Sequence, residues 1–427
     1  MNWRTTTAIL CIYGAVKEFR PATPFLTPFL VSSEKNLTLE DVYSQIYPYW
    51  TYSYMIALIP MFILTDILRY KPIILIEAFG LTVTWLLLVF GQGVWQMQLM
   101  QISFGISSAA EIAYYSYIYS MVDQKHYKKA TSYVRTSALF GKLLAFLLGQ
   151  ILISSHSTNY LMLNIISLIA CCLVTVIAIF LPKVKSRKSV VNIETVQEEP
   201  LQSYDSVIID ETPKSSSYTK EYFRKTVEEL KVCSKNRELL KWSIWWALAS
   251  CGMYQVQNYI QSLWREMQND PENVANGFVE LTNTLLGTAL SFSIQYFSIN
   301  WSQHGQSVLT ITSLLVAGLL YLCSKTTVVL IAYGSYIVIS SIYHMLITAA
   351  SANVAKEIGN GNNHGLIFGC NTFVAVFLQT ILTLVVVDSH FLHFDIRTQF
   401  MIYSGYFGIV SIIFATFWIL SKCSRNA

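Results

Sequence analysis

The sequence predicts an all-α polytopic membrane protein of about twelve spanning helices in two six-helix bundles. Three observations carry that prediction. Of 427 residues, 53% are hydrophobic and only 13% are charged, where a soluble domain needs about 25% charge to keep its surface wet. The charges are clumped as well: 183–241 is charge-rich, while 308–323 carries none. Finally, apolar runs of about 20 residues recur between short polar breaks, the length that crosses a bilayer as a helix.

The runs fall at 6–30, 46–68, 72–90, 97–121, 132–154, 160–181, 242–264, 277–299, 308–323, 328–354, 366–387 and 400–420. The first is interrupted by Pro21, Pro24 and Pro28, which remove backbone donors. Such a helix survives in a bilayer only where a cavity or neighbouring helices satisfy the freed carbonyls. A broken helix in a carrier often lines the substrate path. The start, Met1-Asn2-Trp3-Arg4, lacks the charged region and cleavage site of a signal peptide, so the first run is expected to stay in the mature protein.

Orientation follows from the basic residues of the short loops. Arg4, Arg69, Lys71, Lys125, Lys128, Lys129, Lys356, Lys422 and Arg425 fall on one side with the central loop. The opposite loops mix Lys35, Arg265, Lys325 and Arg397 with Glu34, Glu40, Asp270 and Asp388. Both termini and the loop are therefore expected in the cytosol. The expected organisation is an N-terminal bundle at 1–182, a charged linker at 183–240, a C-terminal bundle at 241–421 and a tail at 422–427. A helical stretch is expected within the linker at about 219–237. Two halves of six helices joined by a polar linker suggest the major facilitator architecture.

The basic run at 183–188 is expected to touch anionic lipid rather than nucleic acid, because it follows directly on a span. Eight scattered cysteines give no disulfide framework or metal knuckle. No Walker sequence and no His-Glu-x-x-His occurs, which argues against ATP-driven pumping and intramembrane metalloenzyme chemistry. No cofactor or metal is expected. Asn36 opens a sequon in the first external loop and is expected to carry glycan, whereas Asn300 opens one on the cytosolic side and is not.

Ionisable groups inside spans cost about 2.5–3.5 kcal/mol on insertion scales and usually serve a function. Glu111, Lys142, Glu77, Glu280 and, near a helix end, Arg135 fall in or at spans. Glu111, Tyr114 and Tyr115 share one helix face by their spacing, setting a carboxylate beside aromatic rings. Lys142 follows Arg135 by seven residues, hence on roughly the same face.

From Lys17-Glu18-Phe19-Arg20-Pro21-Ala22-Thr23-Pro24-Phe25-Leu26-Thr27-Pro28 onward the chain resembles a known family. The likeness continues through Tyr47-Pro48-Tyr49-Trp50-Thr51-Tyr52, Leu64-Thr65-Asp66-Ile67-Leu68-Arg69-Tyr70-Lys71-Pro72 and Glu111-Ile112-Ala113-Tyr114-Tyr115. Trp245-Trp246-Ala247, Asn258-Tyr259 and Asn371-Thr372-Phe373 extend it into the second half. Together these resemble the reduced folate carrier and thiamine transporter family, solute carrier family 19. The resemblance implies a facilitator fold with a central vitamin site, alternating access at the plasma membrane, and a coupling ion that the residues do not reveal.

The same resemblance bears on the substrate. Folate carriers place an arginine where this chain has Glu111, and their basic residues in the tenth and eleventh helices fall here on Ser340 and Gln379. Glu280, Asn258, Trp50, Tyr114 and Tyr47 match the thiamine pattern, and a carboxylate among rings suits a thiazolium. The expectation is therefore a thiamine-type cation. Two departures favour the alternative, a folate-type anion. Thr23 stands where the family has a glutamate, with Glu18 five residues away, and Arg135 with Lys142 could hold a glutamate tail. Glu111 could instead neutralise Arg135 or Lys142, and Trp50 and Tyr47 could form an interfacial belt. Asp66, Arg69 and Lys71 are expected to form a cytosolic gate. A receptor that binds the vitamin without moving it is the other class open.

Overall fold

In this computed structural model the described residues are 3–68, 70–121, 127–156, 158–182, 236–268, 274–293, 301–358, 364–389 and 391–426, and no strand occurs among them. The expected linker helix, Arg69 and Asn300 lie outside the described residues, as do the side chains of Asp66 and Tyr115.

The proline-rich first run breaks as its sequence demands. Helix α1 (Trp3–Glu18) stops before Pro21; a single 3-10 turn (Thr23–Phe25) and a short α2 (Leu26–Val31) complete the span. A π-turn (Asp41–Ile46) leads into α3 (Pro48–Leu68), followed by α4 (Lys71–Phe90), α5 (Gly93–Met121), α6 (Tyr127–Ser154) and α7 (Tyr160–Phe180). The second half comprises α8 (Arg237–Met267), α9 (Asn276–Ser293), α10 (Trp301–Lys325), α11 (Val329–Ile358), α12 (His364–Val386) and α13 (Ile396–Asn426). Counting α1 and α2 as one span, six helices precede the central connection and six follow it. Seven of these helices are long and apolar enough to cross a membrane on composition alone.

Within the first half α5 packs on α3 and α4, α6 on α1, and α7 on α4; within the second, α13 packs on α10, α12 on α8, and α11 on α9. Small residues permit the closest approaches. A Cβ at Gly141 of α6 would collide with the Ala15 carbonyl of α1, which fixes those helices backbone to side. The halves meet through α3 against α12 and α6 against α9. In each pairing the second span of one half meets the fifth span of the other, as a pseudo-twofold repeat requires.

Among the described residues, hydrogen bonds between the halves gather at one end. Most join an amide side chain to backbone that the helices leave unsatisfied. In α6, Gln150 Oε1 accepts from the Gly277 and Phe278 N–H groups at the start of α9, at 2.8 and 3.3 Å, and its Nε2 donates to Val274 O at 2.8 Å. Pro28 has no N–H to give the Pro24 carbonyl, and Asn276 Nδ2 donates to it at 3.0 Å instead. Gln261 of α8 donates to Thr23 O at 3.1 Å and accepts from Thr27 N–H at 3.3 Å. The break that the prolines impose is thus closed by the opposite half, as expected for a lipid-embedded chain. Tyr52 OH donates to Asp388 at 2.6 Å at the rim of the same end.

Candidate functional site

The first span delivers its charged residues to the first half's interior, and the break turns the chain there. Lys17, in the last turn of α1, is 2% exposed and stands between two carboxylates, donating to Glu77 Oε1 of α4 at 2.8 Å and Glu111 Oε1 of α5 at 2.9 Å. Tyr13, one turn earlier, donates to the second oxygen of Glu77 at 3.1 Å. The Tyr114 ring lies 4.8 Å from the Lys17 ammonium, and its hydroxyl donates to Leu10 O at 2.8 Å. Glu77 is 2% exposed, while the Glu111 side chain remains 40% exposed. Glu111 therefore takes its neutralising partner from α1, and neither Arg135 nor Lys142 serves. Tyr114 is fully buried; the helix spacing placed it one turn from Glu111, but its ring packs on Tyr13 and Lys17 and does not line open space.

Beyond the break, Arg20 bonds Glu18 at 3.1 Å and lies over the rings of Trp85 and Phe104, 5.4 and 6.0 Å from their centroids. Trp50 stacks between Tyr54 and Phe104, and its indole N–H donates to Ser108 at 3.2 Å. It belongs to an aromatic wall within the first half, and the interfacial-belt alternative does not describe it. Tyr47 is likewise buried, sharing a 2.5 Å hydrogen bond with Thr27 and packing on Tyr259 of the other half. It is part of the closed seam.

Lys142 is half-buried in α6, its ammonium 5.5 Å from the Phe146 ring, and it makes no ion pair among the described residues. Glu280 of α9 accepts from Tyr336 OH at 3.1 Å and Asn283 Nδ2 at 3.3 Å, with Trp264 edge-on to Tyr336. Asn258 is half-buried on α8, and Arg135 is exposed two turns before Lys142. Lys142 and Glu280 lie on α6 and α9, a pair of helices that meet across the halves, while Trp50 and Glu111 lie on α3 and α5 of the first half. Lys71 donates to Ile179 O at 2.7 Å and so caps α7 of its own half. Lys17 was the residue missed. Its signal was available, since it is an ionisable group inside the first apolar run.

Two six-helix halves that meet through paired helices and are joined at one end by separable bonds have the architecture of the major facilitator fold. Solved structures share the fold: the nucleoside transporter NupG aligns over 97% of this chain and 99% of its own with a TM-score of 0.63 at 14% identity. The sequence profile of the reduced folate carrier family matches residues 1–402. The chain is 70% identical to Folate transporter 1 of Caenorhabditis elegans, over 100% of this chain and 94% of that one. It is 39% identical to Thiamine transporter 1 of Mus musculus, over 99% and 92%. The chain belongs to the reduced folate carrier family, whose members are membrane transporters and not enzymes.

Proposed function

We propose that the chain carries a folate-type vitamin anion across the plasma membrane by alternating access, with both termini and the 183–240 linker in the cytosol. The observation that carries the reading is Lys142, a half-buried cation on the helix that meets α9 of the other half, with no carboxylate in ion-pairing range among the described residues. A half-buried ammonium of this kind is suited to a substrate carboxylate. Glu111, on which the cation reading turned, is already bound to Lys17. The relative at 70% identity bears the name of a folate transporter, which supports the same choice. The orientation rests on the basic loops of the sequence.

A thiamine-type cation is the second reading. Glu280 has only neutral hydrogen-bond donors among the described residues, and relatives at 39% identity are named thiamine transporters. Radiolabelled uptake of folate, a methotrexate-like antifolate and thiamine into cells expressing the chain separates the two. Folate uptake is expected, and Lys142→Ala should raise its half-saturation by about tenfold, the loss of one charge-assisted hydrogen bond. Thiamine uptake without folate uptake would replace this reading with the second. Binding without accumulation would make the protein a receptor.

A further inference from the structure

We propose that Gln261 is a positioning residue for transport. Its side-chain amide stands in for one backbone hydrogen bond of the first span while the halves are shut, and returns that bond to the helix when they part. In a continuous α-helix the Thr27 N–H donates to Thr23 O, four residues back. Here that bond is open, and the Gln261 amide fills it from the other half, donating to Thr23 O and accepting from Thr27 N–H. The distortion is at Phe25, the last residue of the 3-10 turn and the N-cap of α2, at φ −114° and ψ 17°. Return of Phe25 toward helical values brings Thr27 N–H to Thr23 O.

The exchange matters because buried backbone groups must always be paired. Without it, parting the halves would leave a donor and an acceptor of the first span dependent on water entering the opened end. The neighbouring bond lacks this route. Pro28 supplies no N–H, so when Asn276 withdraws, the Pro24 carbonyl can be met only by water entering the opened end. The first span therefore carries one bond that re-forms internally beside one that needs the vestibule wet. The inference holds whichever vitamin is carried, since it concerns only how the closed end opens.

The reporter is Thr51→Cys. Thr51 is fully buried in the seam of α3 and α12, 3.5 Å from Gln379 Nε2, and becomes reachable only when that end parts. A membrane-impermeant maleimide is applied to each face in turn, with the cysteine-unaltered parent as background. Gln261→Leu removes both bonds without preventing the helix from closing on itself. Labelling should quicken by about fivefold or more, the population shift expected when two ordinary hydrogen bonds favour one state. Gln261→Glu keeps the acceptor for Thr27 N–H but loses the donor to Thr23 O, and should fall between. Unchanged labelling in both variants at normal surface abundance would overturn the proposal. So would loss of folded protein without faster labelling, the signature of a plain structural strut. If Gln261→Leu fails to reach the surface, the isosteric Gln261→Glu decides by the same measurement.

Discussion

Replacing Lys17 with methionine tests the charge network of the first half where it is most constrained. The ammonium is 2% exposed and lies 2.8 and 2.9 Å from two carboxylates. At an effective dielectric near 20, each contact is an attraction of about 6 kcal/mol, offset by the desolvation of all three groups. Removing one partner of such a set costs about 3–5 kcal/mol, because the charge left behind is still buried. The burden is unequal. Glu77 is 2% exposed and keeps only the Tyr13 hydroxyl, whereas the Glu111 side chain is 40% exposed and can take water. Lys17→Met should therefore lower thermal stability in detergent and surface abundance in cells. Adding Glu77→Gln should recover most of the loss, and adding Glu111→Gln much less. Thermal midpoints of the singles and the two doubles complete the cycle, since contacting residues do not act additively. An undisturbed Lys17→Met, or better rescue by Glu111→Gln than by Glu77→Gln, would refute the assignment of Glu77 as the dependent charge.

Two further outcomes are expected. Glu111→Gln keeps an acceptor for Lys17 and should spare both folding and folate uptake; abolished uptake at normal surface abundance would return Glu111 to the substrate site. Asn36 is exposed in the connection ahead of the π-turn, so enzymatic deglycosylation should produce one mobility shift that disappears in Asn36→Gln. A shift lost only in Asn300→Gln would invert the proposed orientation.

The spans were legible because apolar length is a one-dimensional signal, and the broken first helix was legible because Pro21, Pro24 and Pro28 act locally. What meets what was not. Lys17 and Lys142 look alike in sequence, each a lysine inside an apolar run, yet one is bound by two carboxylates and the other by none among the described residues. That difference lies in partners 60 and 94 residues beyond Lys17, which no helical period reports. Tyr114 shows the same limit. Its spacing from Glu111 fixes a shared face but cannot say whether that face meets a cavity or α1, and α1 covers it, with Gly14 leaving room for the hydroxyl.

The placement of charge and amide then follows from what each interaction costs to break. Lys17, Glu77 and Glu111 all belong to one half, so the proposed alternating access would leave them together; parting a buried ion pair would cost several kcal/mol at each cycle. The seam that must open is built from Gln150, Gln261 and Asn276, whose neutral hydrogen bonds are worth only about 1 kcal/mol net against water. Among the described residues, the contacts between halves that involve a carboxylate sit at the rim: Tyr52 with Asp388 at 2.6 Å, and an exposed Glu40 3.4 Å from His393 Nε2. The Glu40 carboxylate is 62% exposed, so solvent already screens it and its separation costs little. Strong bonds thus fix each half as a body, and weak ones join the bodies where the proposed alternating access would divide them.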